Sequence, residues 1–310
     1  MKRIFCIMLC ICACLNLCAC NTFKKEPARL SVLLRESDDV FIDMSQLESG
    51  AGEKYIIDTQ KVSAALQKEK AEEAIKNGSF AIILDNFDES GTNSVIAIAK
   101  SSGTPVILIG NAPKPAIMDS YDKLWYLGAN ATQGGELLGS KIGNMYKSGA
   151  ISDNGDGILE YSMLDAGKTD VISSTIASCA DLGVFSQEIA SYNECYSADT
   201  AYNSAIETIN GENAGELILC YGTQIAKAAL RAKEETKSAV PIACIGDGTL
   251  ADNEDLKSNL LAYTAYPAQD IATAALAYLN NIMLGEAVTN GTPYAIDEHK
   301  ALLFPYISSN

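Results

Sequence analysis

Residues 152–160 read Ser-Asp-Asn-Gly-Asp-Gly-Ile-Leu-Glu, and side chains that carry oxygen recur there at alternate positions. A calcium loop draws its oxygens from alternate positions in this way and places glycine at its sharp turn. Gly157 falls on the turn position, and Ile158 would offer its backbone carbonyl. The spacing therefore predicts a calcium site whose loop ligands are Ser152, Asn154, Asp156, Ile158 and Glu160.

The loop lacks the carboxylate that normally closes it. The closing position falls on Met163, and a thioether does not bind a hard cation. The apolar residues after Gly157 also predict a strand rather than the second helix of a helix-loop-helix calcium site. A calcium ion here would need its last carboxylate from a distant part of the chain. The alternative is an ordinary polar turn, because Asn-Gly-Asp-Gly is common in turns.

The amino terminus has the pattern of a secretion signal. Lys2 and Arg3 precede an apolar run, Ile4–Leu17, which is too short to span a bilayer. The run ends in Leu-Cys-Ala-Cys, which resembles the lipobox of bacterial lipoproteins. That resemblance implies a signal peptide over residues 1–19, lipidation of Cys20 and a tether over residues 20–28. An ordinary cleaved signal peptide is the alternative. No other segment could cross a membrane, so the predicted location is extracytoplasmic and lipid-anchored to a bacterial membrane.

Composition and charge narrow the class of partner. The chain has 310 residues, a formal net charge of −16 and 48% hydrophobic residues, so it can form a core. Residues 1–19 contain two basic residues and no acid, so the rest of the chain is more acidic still. Such a surface repels nucleic acid and anionic headgroups. We therefore expect no nucleic-acid partner.

Six of the ten cysteines lie at or before Cys20. The other four, Cys179, Cys195, Cys220 and Cys244, are widely spaced and form no Cys-x-x-Cys pair, which argues against zinc. Cys220 and Cys244 lie in apolar runs and are predicted to be buried. The sequence does not decide whether Cys179 and Cys195 form a disulfide, which an oxidising compartment would permit.

Short apolar runs alternate with amphipathic segments through the rest of the chain. Runs such as Ala-Ile-Ile-Leu and Val-Ile-Leu-Ile are typical of strands that are buried on both faces of a parallel sheet. The alternation predicts a doubly wound α/β fold. The predicted strands are Arg29–Leu34, Lys54–Asp58, Phe80–Leu84, Pro105–Ile109, Leu124–Leu127, Gly157–Leu164, Leu182–Ile189, Gly215–Cys220, Val240–Ile245 and Leu260–Thr264.

Four segments resemble the periplasmic galactose/glucose-binding proteins of ABC transport and chemotaxis. They are RESDDVF (35–41), SYDKLWYLGANATQGGELLGSKI (120–142), VPIACIGDG (240–248) and TPYAIDEHKALLFPYI (292–307). The resemblance implies a class I periplasmic-binding-protein fold, in which two Rossmann-like lobes are joined by three crossovers near residues 129, 266 and 304. The implied lobes are 29–129 with 267–304, and 130–266 with 305–310. In this family a distant Glu completes a calcium loop between a helix and a strand, and Glu216 takes that place here.

The same resemblance implies a ligand site in the cleft between the lobes. Asp39, Phe41, Tyr196 and Asp247 match its Asp, Phe, stacking aromatic and Asp positions. Asn111 and Asp170 are the weaker matches. Three family asparagines are replaced by Gly110, Gly222 and Pro267, and an Arg is missing. Tyr196, Tyr221 and Tyr266 lie near the ends of predicted strands, which suggests a flatter, more apolar or larger ligand than glucose. Local packing is the alternative role for each tyrosine.

These observations predict a monomeric solute receptor for a carbohydrate, which an ABC permease or a membrane sensor would recognise. Two rivals stay open: the same fold for a nucleoside or another non-sugar solute, and a lipoprotein that uses the fold for protein interaction. Enzyme chemistry is not expected, because the single histidine, His299, lies in a charged turn and no nucleophile or phosphate-loop motif is present. Calcium is the one predicted cofactor.

Overall fold

The structure is a computed structural model, and it describes residues 26–36, 40–164, 170–192, 195, 197–211 and 215–309. The strands are β1 (Ala28–Arg35), β2 (Tyr55–Val62), β3 (Ser79–Asn86), β4 (Val106–Gly110), β5 (Leu124–Ala129), β6 (Ile158–Leu164), β7 (Phe185–Tyr192), β8 (Leu217–Tyr221), β9 (Ile242–Gly246), β10 (Ala262–Ala265), β11 (Ala301–Phe304) and β12 (Ile307–Ser308). The helices are α1 (Met44–Ala51), α2 (Gln67–Lys76), α3 (Glu89–Ser102), α4 (Pro115–Met118), α5 (Ala131–Lys147), α6 (Asp170–Asp181), α7 (Ala198–Asn210), α8 (Thr223–Thr236), α9 (Gly248–Ala251), α10 (Glu254–Asn259) and α11 (Ala268–Leu284).

The strands form two sheets of six. The first has the order β11-β5-β4-β3-β1-β2, and the second has the order β12-β10-β9-β8-β6-β7. Neighbouring strands are parallel except for the pair of β10 and β12. We call the first sheet with its helices the first lobe, and the second sheet with its helices the second lobe. The predicted fold class, two doubly wound α/β lobes, is confirmed.

The chain passes between the sheets three times. It leaves the first sheet after Ala129, returns to it after Ala265 and leaves it again after Phe304. A buried apolar cluster, which includes Ile109, Leu138 and Tyr266, continues from one lobe to the other. The two lobes therefore share packed side chains as well as three connections.

Local signals explain the ends of the helices. The Asp88 side chain accepts from the Gly91 amide at 2.6 Å and caps α3, which ends at the left-handed Gly103. Asn130 caps α5 by accepting from the Gln133 amide at 3.1 Å. One boundary prediction is wrong: the strand predicted over Lys54–Asp58 continues through Val62 as β2, because this β-branched residue pairs with Arg35 in the ladder.

Helices α5 and α6 pack unusually closely. An added Cβ at Gly139 would lie 2.2 Å from the Thr175 carbonyl oxygen, and one at Gly135 would lie 2.4 Å from the Val171 carbonyl oxygen. Gly143 continues the same stripe of the helix. The close approach needs glycine on this stripe, because any side chain would meet the facing backbone.

All four cysteines in the described part of the chain are buried thiols. The Cys179 thiol donates to the carbonyl of Gly139, and Cys195 lies in a separate apolar cluster with Cys220 and Cys244. The disulfide that the sequence left open between Cys179 and Cys195 is therefore absent. Within the described residues, no helix combines the length and apolar character that crossing a bilayer requires.

Candidate ligand cleft and calcium loop

The carboxyl ends of the two sheets meet at the cleft between the lobes. Tyr266 follows β10 of the second sheet, and its hydroxyl donates to the carbonyl of Gly110, the last residue of β4, at 3.3 Å. The amide of Gly248, at the end of β9, donates to the carbonyl of Val40 at 2.9 Å. Open α/β sheets bind ligands at such strand ends.

A bidentate ion pair lies at the first lobe's side of the cleft. Arg35 Nε and Nη2 donate to the two carboxylate oxygens of Asp85, each at 2.7 Å. The side chain of Asp85 is 2% exposed and that of Arg35 is 16% exposed. The guanidinium carbon also lies 4.3 Å from the Phe41 ring centroid and 5.5 Å from that of Phe87. Both partners are thus held in one geometry by hydrogen bonds and by aromatic faces.

Gly110 makes room for this pair. Its φ is +81°, and an added Cβ would lie 2.3 Å from Asp85 Oδ1 and 3.0 Å from Arg35 Nη2. A side chain at this position would therefore need the space that the ion pair fills.

Tyrosines surround the same carbonyl. The hydroxyl of Tyr126 donates to the Gly110 oxygen at 2.8 Å, beside the bond from Tyr266. The Tyr266 ring meets Phe41 edge-on at 5.0 Å and Tyr306 at 5.9 Å between centroids. Burial raises the pKa of Tyr126, Tyr266 and Tyr306 above the usual range of tyrosine, so these hydroxyls stay protonated and can donate.

Asp247 lies on the second lobe's side and is buried. Its Oδ1 accepts from the Thr223 hydroxyl at 2.7 Å and from the amide and hydroxyl of Thr249 at 2.8 and 2.6 Å. Its Oδ2 accepts from the Val40 amide at 3.3 Å. The carboxylate therefore orders its own loop and joins it to the first lobe.

The structure places some of the residues predicted to bind ligand at the cleft and others away from it or outside the described part of the chain. Phe41 and Asp247 lie at the cleft, as described above. Asn111 follows β4 with an exposed side chain, and its backbone pairs with Asn86: its amide donates to the Asn86 carbonyl at 3.2 Å, and Asn86 Nδ2 donates to its carbonyl at 2.7 Å. Asp170 is exposed at the start of α6. Asp39 and Tyr196 lie outside the described residues.

Sequence reasoning missed four residues of the cleft: Arg35, Asp85, Tyr126 and Tyr306. Asp85 was the easiest of them to predict from the sequence, because a carboxylate directly follows the apolar run Ala-Ile-Ile-Leu and so falls at the end of a buried strand. Tyr126 had no such signal, since it lies inside a strand with apolar neighbours.

The predicted calcium loop is closed by Glu216. Its Oε1 accepts from the Asn154 amide at 2.6 Å, and its Oε2 accepts from the Glu160 amide at 3.2 Å. The Asn154 side chain accepts from the Asp156 amide at 3.0 Å, and Asp156 accepts from the Ile158 amide at 2.8 Å. Glu216 thus reaches the loop, although more than fifty residues separate the two in the sequence.

The loop residues carry the oxygen ligands that calcium prefers. Three carboxylates (Asp156, Glu160 and Glu216) and the oxygen of Asn154 are hard donors. Ser152, the first predicted ligand, is exposed. Across the described ranges, however, no three His, Cys, Asp or Glu residues are gathered as a metal ion would require. To bind an ion, the Glu216 carboxylate would have to give up the hydrogen bonds that it now accepts from the amides of Asn154 and Glu160.

Asp153 is a further residue of this loop that the sequence did not single out. Its Oδ1 accepts from the amides of Gly155 at 2.8 Å and Gly157 at 3.4 Å. The bond from the Gly155 amide, more than any other cause, holds the pKa of Asp153 below its usual value. Burial and the nearby carboxylate of Glu216 raise the pKa of the adjacent Tyr146 to about 12. The turn is thus held by its own hydrogen bonds.

Known proteins with the same architecture cover almost the whole chain. A D-galactose/methyl-galactoside binding periplasmic protein of Haemophilus influenzae is 21% identical over 295 residues, which is 90% of this chain and 88% of that protein. A solute binding protein of Bacillus halodurans with bound myo-inositol has a TM-score of 0.70 at 14% identity, covering 93% of this chain and 96% of that one.

A third comparison is with the 5-methylthioribose transporter solute binding protein of Thermotoga lettingae. It has a TM-score of 0.67 at 14% identity and covers 92% of this chain and 87% of that one. At these identities the solved structures show the fold alone. The sequence profile of the periplasmic binding protein domain matches residues 43–287, well over half of the chain. The chain belongs to the periplasmic binding protein domain family.

Proposed function

We propose that this protein is the extracytoplasmic solute-binding component of an ABC transporter and that its solute is a carbohydrate. The observation that carries the proposal is the composition of the cleft, where the Phe41 ring contacts both the Tyr266 ring and the guanidinium of Arg35, which is paired with Asp85. Aromatic faces suit the C–H surface of a sugar, and charged hydrogen-bonding groups suit its hydroxyls. The family is one of binding proteins, and the relative from Haemophilus influenzae is named for a galactoside.

Hinge closure would trap the solute. The three connections between the sheets allow one lobe to rotate on the other, and closure brings the strand ends together around the ligand. The bond between the Gly248 amide and the Val40 carbonyl, together with that of Asp247 with the Val40 amide, would then stabilise the closed arrangement. The paired lobes would present one surface to the permease or to a membrane sensor.

The proposed location is the outer face of a bacterial membrane, with a lipid anchor on Cys20. The support is the apolar run followed by Leu-Cys-Ala-Cys, which lies outside the described residues. The acidic charge of the chain would keep the lobes away from anionic headgroups. A change of Cys20 to Ser would be expected to release the protein into the soluble fraction, with binding unaltered. Retention in the membrane fraction would contradict the anchor.

A structural calcium ion is the second part of the proposal. Ser152, Asn154, Asp156, Ile158, Glu160 and Glu216 would hold it and would supply only oxygen ligands. The support is the spacing of the loop together with the approach of Glu216. The ion would stabilise the second lobe and would take no part in binding the solute.

A non-sugar solute is the second candidate. The departures at Gly110, Gly222 and Pro267 remove amides that would bind hydroxyls, while the aromatic rings of Tyr126, Tyr266 and Tyr306 pack near the same place. Such a cleft also suits a flat, less hydroxylated molecule such as a nucleoside.

Thermal unfolding of the full-length protein in mild detergent tests both candidates. Monosaccharides, oligosaccharides and nucleosides would be added singly, each with calcium and with a chelator. A ligand that binds the folded state raises the melting temperature by mass action. A rise with a sugar is the expected result, and a rise with nucleosides alone would favour the second candidate. No rise with any compound, for a protein that melts cooperatively, would contradict the receptor function.

A further inference from the structure

We propose that Arg35 and Asp85 are the specificity-determining polar pair of the cleft and that they select an uncharged polyhydroxy solute over an acidic one. This inference rests on the proposed function, because it concerns the ligand of the same cleft. It goes further by assigning the recognition of hydroxyl groups to two residues that lie outside the matched ligand positions.

The position of the pair supports a role in binding. Arg35 ends β1 and Asp85 lies one residue before the end of β3, and these strands are neighbours in the first sheet. Both side chains therefore lie at the edge of the sheet where ligands of this architecture bind. The Phe41 ring that contacts the guanidinium also contacts Tyr266 of the second lobe, so the pair belongs to the surface along which the lobes meet.

Stability alone does not account for the pair. Burial removes both charges from water, and a buried ion pair contributes little compared with apolar residues of the same size. Asp85 is 2% exposed, so its desolvation is nearly complete, while Arg35 keeps 16% exposure. A pair that is costly to bury, and whose arginine keeps access to solvent at the strand ends, is expected where it meets a ligand.

Gly110 links the pair to the altered binding site. The resemblance to galactose/glucose-binding proteins places an asparagine at this position, and this chain has glycine. A Cβ there would lie 2.3 Å from Asp85 Oδ1, so an asparagine and the ion pair could not fill the space together. In this proposal the guanidinium and the carboxylate provide the hydrogen-bonding groups that an amide would provide at this position.

The local charge indicates the class of solute. The positive charge of Arg35 is balanced by Asp85, and Asp247 adds a negative charge on the other side of the cleft. An acidic ligand would meet a neutralised cation and a second carboxylate, which is unfavourable for its own charge. The hydroxyls of a neutral polyol can instead donate to carboxylate oxygens and accept from N–H groups.

Pairs of ligands that share a sugar ring, one neutral and one carrying a carboxylate in place of its hydroxymethyl group, provide the test. Calorimetric titration of the full-length protein in mild detergent would compare galactose with galacturonate and glucose with glucuronate. Myo-inositol would serve as a neutral cyclitol and adenosine as a neutral nucleoside. The expected result is that the wild type binds a neutral member at least tenfold more tightly than its acid. Tighter binding of the acid would overturn the inference while leaving the receptor function in place.

Variants then assign the effect to the pair. Arg35→Gln and Asp85→Asn are each expected to weaken binding of the preferred neutral ligand at least tenfold. Gly110→Ala should weaken it as well, because its Cβ displaces the pair. The control is Arg231→Gln, the same kind of change at the exposed ion pair between Arg231 and Glu235 at 2.9 Å, in the last two turns of α8. It should bind like the wild type.

Each outcome separates the two proposals. Circular dichroism and melting would confirm that each variant folds, and Arg35→Lys, which keeps the charge but not the planar fork, would replace a variant that does not. Folded variants that bind as tightly as the wild type would overturn the role of the pair and leave the receptor function intact. A wild type that binds none of these compounds, and no other solute in the thermal screen, would overturn both together.

Discussion

The Gly248 amide donates to the carbonyl of Val40 at 2.9 Å, and this bond joins the end of β9 in the second lobe to the loop after β1 in the first. The neighbouring Asp247 carboxylate accepts from the Val40 amide at 3.3 Å. Both backbone polar groups of Val40 thus bond to the second lobe, the carbonyl to a backbone amide and the amide to a side-chain carboxylate. Such an approach needs a residue without a side chain, and Gly248 provides it.

Gly248→Ala is expected to separate the lobes. The new Cβ would lie 2.4 Å from the Ala268 Cβ and 3.0 Å from the Val40 oxygen, so the backbones must move apart. Overpacking of this kind costs about 1–3 kcal/mol. We expect a larger radius of gyration in small-angle X-ray scattering and weaker binding of the solute.

The control for this variant is its combination with Ala268→Gly, which removes the carbon that the new methyl group would strike. The double variant should recover much of the wild-type radius, and the difference gives the coupling between the two positions. An unchanged radius in the single variant would show that the lobes do not depend on this contact.

Much of the fold was predictable because each element carries its own signal. Buried runs such as the one in β3 mark strands wherever they occur, and the caps at Asp88 and Asn130 mark helix starts. The alternation of the two element types then leaves few topologies open. The short strands β11 and β12 gave no such signal of their own and were indicated only by the resemblance of the carboxyl-terminal segment.

The site was less predictable because its contacts join distant parts of the sequence. Arg35 and Asp85 are fifty residues apart, and neither residue type specifies the other. Similarly, the resemblance predicted that Asp247 binds ligand, but nothing local shows that Thr223 and Thr249 would donate to it. Resemblance transfers residue types at matching positions, whereas a pair formed by two distant residues appears only in three dimensions.

Gly139→Ala should destabilise the second lobe. Its Cβ would lie 2.2 Å from the Thr175 oxygen and 2.8 Å from the Ser178 Cβ, so α5 and α6 would have to separate. We expect a loss of about 1–3 kcal/mol in the free energy of unfolding, despite the better helix propensity of alanine. Urea unfolding measures it. The matched control is Asn144→Ala, an exposed position of the same helix, which should change the free energy by less than about 0.5 kcal/mol.

Glu216→Gln tests the calcium loop. Glutamine can accept one of the two amide bonds from Asn154 and Glu160 but not both, so the variant should lose roughly 1 kcal/mol even with chelator present. If the loop binds calcium, the ion raises the melting temperature of the wild type, and the variant loses that increase. The control is Glu207→Gln, an exposed change on α7 of the same lobe. A wild type whose melting temperature is the same with calcium and with chelator would contradict the proposed ion and leave the hydrogen-bonded loop.

The contact between His299 and Asp119 predicts that the stability of the fold depends on pH, and the imidazole of His299 can report this dependence. Its Nδ1 lies 3.2 Å from Asp119 Oδ1 at the end of α4, and this hydrogen bond is the main cause that raises the pKa of His299 above its usual value. A group whose pKa is raised on folding stabilises the folded state fully below its unfolded pKa, and the stabilisation is lost as the pH rises through the folded pKa. The contribution should therefore be complete below about pH 6.5 and should decline above it.

The chain has one histidine, so its resonance in proton NMR gives the folded pKa without assignment. Asp119→Asn should lower that pKa toward the ordinary value and should flatten the dependence of the melting temperature on pH in the same range. The control is Asp122→Asn, a nearby carboxylate that is not among the groups acting on the imidazole. Because the side chain is 36% exposed, added salt should weaken the effect. A pKa that is equal in the wild type and in Asp119→Asn would show that the contact does not persist in solution.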